Sequence, residues 1–104
     1  MKKSDKIVKF KDWDCEVHYS EYNKGVPAIM LLEVGTLERI ATASVFLIDK
    51  PKPSKNWTYI KEYSENEGMT QALIDAGVIS ESIVPDTIGY GAIVNLSLIL
   101  DELT

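Results

Sequence analysis

An α+β domain, with an antiparallel sheet of five to six strands and one helix packed on one face, is the fold class that three features of this sequence predict. Apolar and polar residues alternate with a period of two through every long segment but one. In the exception, Met69, Ala72, Leu73 and Ala76 recur at i, i+3, i+4 and i+7, which makes one apolar stripe on a helix. Turn formers, including Gly25, Gly35 and the pair Pro51 and Pro53, stand between the segments. With 104 residues, 45% of them hydrophobic, the chain can build one core as a single domain, 1–104, without disulfides or metals.

Ile7 to Phe10 reads as a first strand. In the segment that follows, Trp13, Cys15, Val17 and Tyr19 share one strand face and predict core, while Asp14, Glu16 and His18 share the solvent face. Tyr22 to Gly25 is a turn. Pro27 to Val34 makes the next strand, and Gly35-Thr36 joins it as a hairpin to a long segment, Glu38 to Ile48. Asp49 to Asn56 is a solvated loop, because two prolines cannot donate to a ladder and three lysines resist burial. Trp57 to Lys61 is a short strand by its aromatic and β-branched content.

Ser64 with Glu67 three positions on fits a capping box, which predicts a helix from Glu65 to Ala76 with Gly77 just past its end. On that reading Ser64→Ala costs about 1 kcal/mol. Gly68 inside the helix costs up to ~1 kcal/mol relative to Ala and predicts that a side chain there would clash with the sheet. Ser80 to Asp86 is loop. Ile88, Tyr90, Ala92, Val94, Leu96, Leu98 and Leu100 then alternate with Gly89, Gly91, Ile93, Asn95, Ser97 and Ile99 as one long final strand.

Eleven basic against sixteen acidic residues give a net charge of −5, which argues against nonspecific phosphate binding. Trp57, Tyr59 and Tyr63 share a strand face, but the basic frame of a single-strand nucleic-acid platform is missing around them. Core or interface packing is the expected role of these rings. One cysteine excludes an internal disulfide and fits a reducing, cytoplasmic compartment. No apolar run follows the basic N-terminus, and none is long enough for a membrane span, so neither secretion nor membrane insertion is expected.

Cys15 and His18 are single residues of their kinds, and their odd spacing on one strand sends them to opposite faces. They do not form a catalytic pair, and one His with one Cys cannot supply the four ligands of a structural zinc site. Glu65 and Glu67, two apart on a helix, do not face each other, and carboxylates near a helix start are favoured by the dipole alone. No serine sits in a nucleophile elbow, and Gly89-Tyr90-Gly91 lacks the helix and lysine of a phosphate loop. No catalytic residue, metal or cofactor is therefore expected.

The run Ile60-Lys61-Glu62-Tyr63-Ser64-Glu65-Asn66-Glu67-Gly68-Met69, followed by Leu73 and Ala76-Gly77-Val78-Ile79, resembles a family of small uncharacterised proteins encoded on bacterial phages, plasmids and conjugative elements. Trp13-Asp14-Cys15, Ala28 to Leu32 and Ile40 to Val45 are similar too, so the likeness covers most of the chain. It implies an accessory protein without an assigned enzyme activity, and favours one that binds host machinery such as a defence nuclease, in the manner of an anti-CRISPR inhibitor. A small-molecule binder that sequesters a nucleotide-like signal is the alternative, with the helix start near Ser64 to Gly68 as its anion site. For a protein partner, or for a second copy in a homodimer, the expected patch joins Glu62, Glu65 and Glu67 to Lys52 and Lys55 in the proline loop. The strand Trp57 to Lys61 links the two ends, about 17 Å apart.

Overall fold

The computed structural model describes residues 2–51 and 55–103. Among them lie two four-stranded antiparallel sheets and a single α-helix, so the α+β class stands while the one sheet of five to six strands does not. The first sheet is a meander of β1 (Lys2–Phe10), β2 (Trp13–Glu21), β3 (Pro27–Glu33) and β4 (Arg39–Thr42), in spatial order. In the second, β5 (Ser44–Val45) pairs with β6 (Trp57–Lys61), and β8 (Ala92–Leu98) lies between β6 and the edge strand β7 (Val84–Ile88). The helix α1 (Met69–Asp75) connects β6 to β7.

The sheets meet at Ala43, where the segment expected to run straight from Glu38 to Ile48 instead changes sheets. The Ala43 N–H donates to the Ile29 carbonyl of the first sheet at 2.9 Å, and its own carbonyl accepts from the Lys61 N–H of the second at 2.9 Å. Ala43 is fully buried, and its methyl group fits a corner that a larger side chain would crowd. The next residue completes the bend, since the Ser44 hydroxyl accepts the Ile29 N–H at 2.8 Å.

Alternation then decides what each strand buries. Val8 and Phe10 of β1, Cys15, Val17 and Tyr19 of β2, and Ile29 and Leu31 of β3 turn one face of the first sheet inward. Against it pack Ile60 of β6, Met69 and Leu73 of the helix, and Val78, Ile79 and Ile99. The helix thus lies against one strand from each sheet, β1 and β6. Trp13 keeps its register opposite the buried Phe10 but is itself 40% exposed at the hairpin end.

Three further expectations change. Residues Ser64–Asn66 form one 3₁₀ turn, and the helix starts at Met69 rather than Glu65. Gly68 has φ +91° and nothing within 4 Å of the position its Cβ would take, so it serves the left-handed entry to the helix, not close packing. The long final strand is a hairpin: β7 and β8 are joined by a turn over Gly89–Gly91, and Pro85 lies in the edge strand, where a missing N–H is tolerated. Gly77 does end the helix, in the left-handed conformation at φ +75°, with its N–H on the Ile74 carbonyl.

Candidate interaction surface

The residues of the helix entry are consumed by the fold. Glu62, not Ser64, caps the helix: its carboxylate accepts the N–H of Gly68 at 2.5 Å and that of Thr70 at 2.9 Å. The Ser64 side chain caps nothing; the residue's carbonyl accepts the Glu67 N–H at 3.3 Å, and its backbone holds a left-handed φ of +56°. Asn66, 1% exposed, donates its amide to the Thr42 carbonyl at 2.8 Å and so ties the turn to β4. The Thr70 hydroxyl accepts from the amide of Asn95 in β8 at 2.8 Å. One turn thereby fastens the first sheet, the second sheet and the helix together.

The sequence-predicted patch divides along β6. Glu65 stays exposed at the Lys61 end, 3.8 Å from the Lys61 ammonium, and its carbonyl accepts from the Lys11 ammonium at 2.7 Å. Glu67 is exposed beside it. Lys55 lies at the other end of the strand, beside a cavity of about 510 Å³ whose lining includes Lys2, Tyr19, Pro27, Asn56 and Leu103. Lys52 lies outside the described residues. Glu62 is half-buried and engaged at the helix start, whereas Glu65, Glu67 and Lys55 are exposed.

Between the two ends, the outer face of the second sheet is apolar. With Ile60 turned to the core, Trp57 and Tyr59 point the other way; register sets Trp57 opposite Leu98, and Tyr59 opposite both Val45 and Leu96. Val84 lies beyond Leu96 on the same face, 54% exposed. The segment that follows β5 crosses this face without filling it. Its Pro51 carbonyl accepts the Tyr59 hydroxyl at 2.8 Å, and the Lys50 ammonium pairs with Asp86 at 2.9 Å. A cleft of about 190 Å³ remains, lined by Val26, Phe46, Ile48, Trp57, Tyr59 and Leu96, with Ile48 76% exposed at its mouth. Burial and the nearby Asp86 charge raise the Tyr59 phenol above its usual range, and the Lys50 hydrogen bond holds the Asp86 carboxyl below the usual carboxylate range.

The adjoining sheet edge is closed. In β7 the backbone of Pro85 and Thr87 turns away from β8, since the Ile93 carbonyl opposite Thr87 accepts instead from the Glu62 N–H at 3.1 Å. Pro85 has no N–H, and the Thr87 N–H is held by the Asp86 carboxylate at 2.8 Å. A strand adding here would find neither donor.

Cys15 is fully buried, and burial pushes its thiol up to about 11, which keeps it in the inert protonated form. His18 stands on the opposite face of β2, 3.0 Å from Glu16, so the two do not meet. At the C-terminal end, Asp101 accepts from the Ser4 hydroxyl at 2.6 Å and the Tyr19 hydroxyl at 2.5 Å, and pairs with the Lys6 ammonium at 3.1 Å. Burial raises the Asp101 carboxyl, and these three donors together outweigh it, leaving the group below its usual range. Among the described residues no three His, Cys, Asp or Glu side chains gather to hold a metal ion, and no helix is long and apolar enough to cross a membrane.

Compared with protein-family models, curated proteins and solved structures, the chain matches none.

Proposed function

We propose that this protein is a non-enzymatic, cytoplasmic accessory of a mobile element that binds a host or phage protein, in the manner of an inhibitor of a defence system. The partner docks on the outer face of β6, β8 and β7. The observation that carries this reading is the apolar cleft at Trp57, Tyr59 and Leu96, with Lys50 of the Lys50–Asp86 ion pair in its lining and the Lys61–Glu65 pair at the end of the same strand. An apolar centre within a charged rim is the anatomy of a protein interface. Glu65 and Glu67 belong to that rim, and Lys55 lies past its far end. The resemblance of the helix-entry run to mobile-element proteins supports the biological setting.

Affinity capture from a bacterial host lysate tests the reading. A protein held by the native chain should be lost with Ile48→Asp and weakened by the pair Glu65→Lys and Glu67→Lys. Retention by all of these variants contradicts it. The cavity of about 510 Å³, whose lining carries Glu21 as well as Lys2 and Lys55, gives room for the second reading, sequestration of a small molecule. The helix start no longer supports that alternative, because Glu62 already occupies the Gly68 and Thr70 N–H groups. A metabolite released on heating the purified protein would decide for it.

A further inference from the structure

The β7–β8 hairpin ends in a residue that its own fold does not use. Tyr90 stands at the tip with φ +63° and ψ +25°, Gly91 follows with φ +76°, and the Ala92 N–H closes the turn on the Gly89 carbonyl. Two successive positive φ values are the I′ pattern, which Asn-Gly fills most readily and in which a bulky aromatic side chain is disfavoured. The phenol ring gains nothing in return, since it is fully exposed. Lys11, Asn56 and Ser64, also left-handed, carry polar side chains, and Leu37 is about half covered, 53% exposed. At Tyr90 an unfavourable backbone is combined with a ring that has no covering. Such an outlier points from structure to function.

We propose that Tyr90 is the anchor of the docking surface, a convex aromatic tip that enters an uncharged pocket in the partner protein. This rests on the reading that a protein docks on the outer face of the second sheet. The tip is continuous with that face, because Ile88 and Ala92 pair across the hairpin on the side that carries Val94, Val84 and Leu96. The pocket must be uncharged and apolar, with an acceptor for the hydroxyl, since Thr87 through Ile93 contains no charged residue. A tip without cations, on a chain of net charge −5, is a poor match to phosphates or an anionic lipid surface. Tyrosine in this role binds with little entropy loss, and buried tyrosines are frequent interface hot spots.

The test places a photocrosslinker, p-benzoylphenylalanine, at position 90 in one protein and at position 48 in another, inside the bacterial host. Both should crosslink to the same protein. That protein, purified, should bind Tyr90→Ala and Tyr90→Gly at least tenfold more weakly than the native chain, while Tyr90→Gly melts at the same temperature or higher because glycine relieves the left-handed backbone. Crosslinking from position 48 alone, or unchanged affinity of Tyr90→Ala, rejects the anchor and leaves the docking face standing. Crosslinking from neither position rejects both. A lower melting temperature for Tyr90→Gly with affinity unchanged makes the ring structural and overturns the proposal. Tyr90-dependent flotation with phosphatidylglycerol–phosphatidylcholine vesicles replaces the protein partner with a lipid surface and overturns it as well.

Discussion

The helix-entry turn and the outer face of the second sheet lie at opposite extremes of self-sufficiency. In the turn, Glu62 and Asn66 each satisfy backbone groups of a neighbouring element, and Thr70 receives Asn95 from a third. On the sheet face, Trp57, Leu96 and Leu98 stay half-buried and Val84 is largely exposed, while Ile48, in the segment that crosses this face, is itself 76% exposed. The polar motif of the first region is divided: Glu62, Asn66 and Thr70 hold the fold together, while Glu65 and Glu67 remain exposed. The sheet face is apolar, and it is where binding energy is available.

The comparison breaks first at Asn66. Asn66→Ala removes a buried donor and strands the Thr42 carbonyl, and should cost about 2–3 kcal/mol in denaturant melts. A cost near zero would mean that the turn is not the fastening described. Next comes Asp101→Asn, expected to cost about 2 kcal/mol at neutral pH through the loss of charge-assisted bonds from Ser4, Tyr19 and Lys6. The sign follows from the lowered carboxyl: its stabilisation is present above the unfolded carboxylate range near pH 4 and is lost as pH falls through the folded value. The native chain should thus lose stability as pH falls into and below that range, and Asp101→Asn should flatten that acid limb.

Glu62→Ala should cost about 1–2 kcal/mol, because two N–H groups at the helix start lose their acceptor. Ser64→Gly sharpens the contrast within the same turn: at φ +56° it should be neutral or stabilising by up to about 1 kcal/mol. If Ser64→Gly were the more damaging of the two, the cap would belong to Ser64 after all. The smallest effect is expected on the rim, where charge reversal at Glu65 and Glu67 should change stability by less than about 0.5 kcal/mol, as measured by thermal melts.

Much of the framework was legible in the sequence, because a period of two and a helical stripe are local signals. The strands around Cys15 and Val17, the strand Trp57–Lys61, the Met69–Leu73 stripe and the Gly77 stop all follow from residues within a few positions of each other. What was illegible depends on distance or on parity. The true cap lies six and eight residues before the groups it holds, outside the spacing that a capping box uses. The final hairpin was hidden because its three-residue turn keeps Ile88, Ala92, Val94 and Leu96 on one face, so alternation runs through the reversal unbroken. The corner at Ala43 likewise interrupts no pattern, and it divides one expected sheet into two. Of the candidate patch, sequence placed Glu65 and Glu67 on the surface but could not show that Glu62 is used internally. The apolar face was present as Trp57, Tyr59 and Leu96, yet nothing local reveals that the segment above them leaves a cleft.

The most direct test of this division of labour measures partner affinity and melting temperature together for Ile48→Asp and Asn66→Ala. Ile48→Asp should bind at least tenfold more weakly and melt like the native chain. Asn66→Ala should melt lower, yet bind normally at a temperature where it remains folded. Native affinity in Ile48→Asp, with binding lost in a fully folded Asn66→Ala, would contradict that division and return the function to the helix-entry turn.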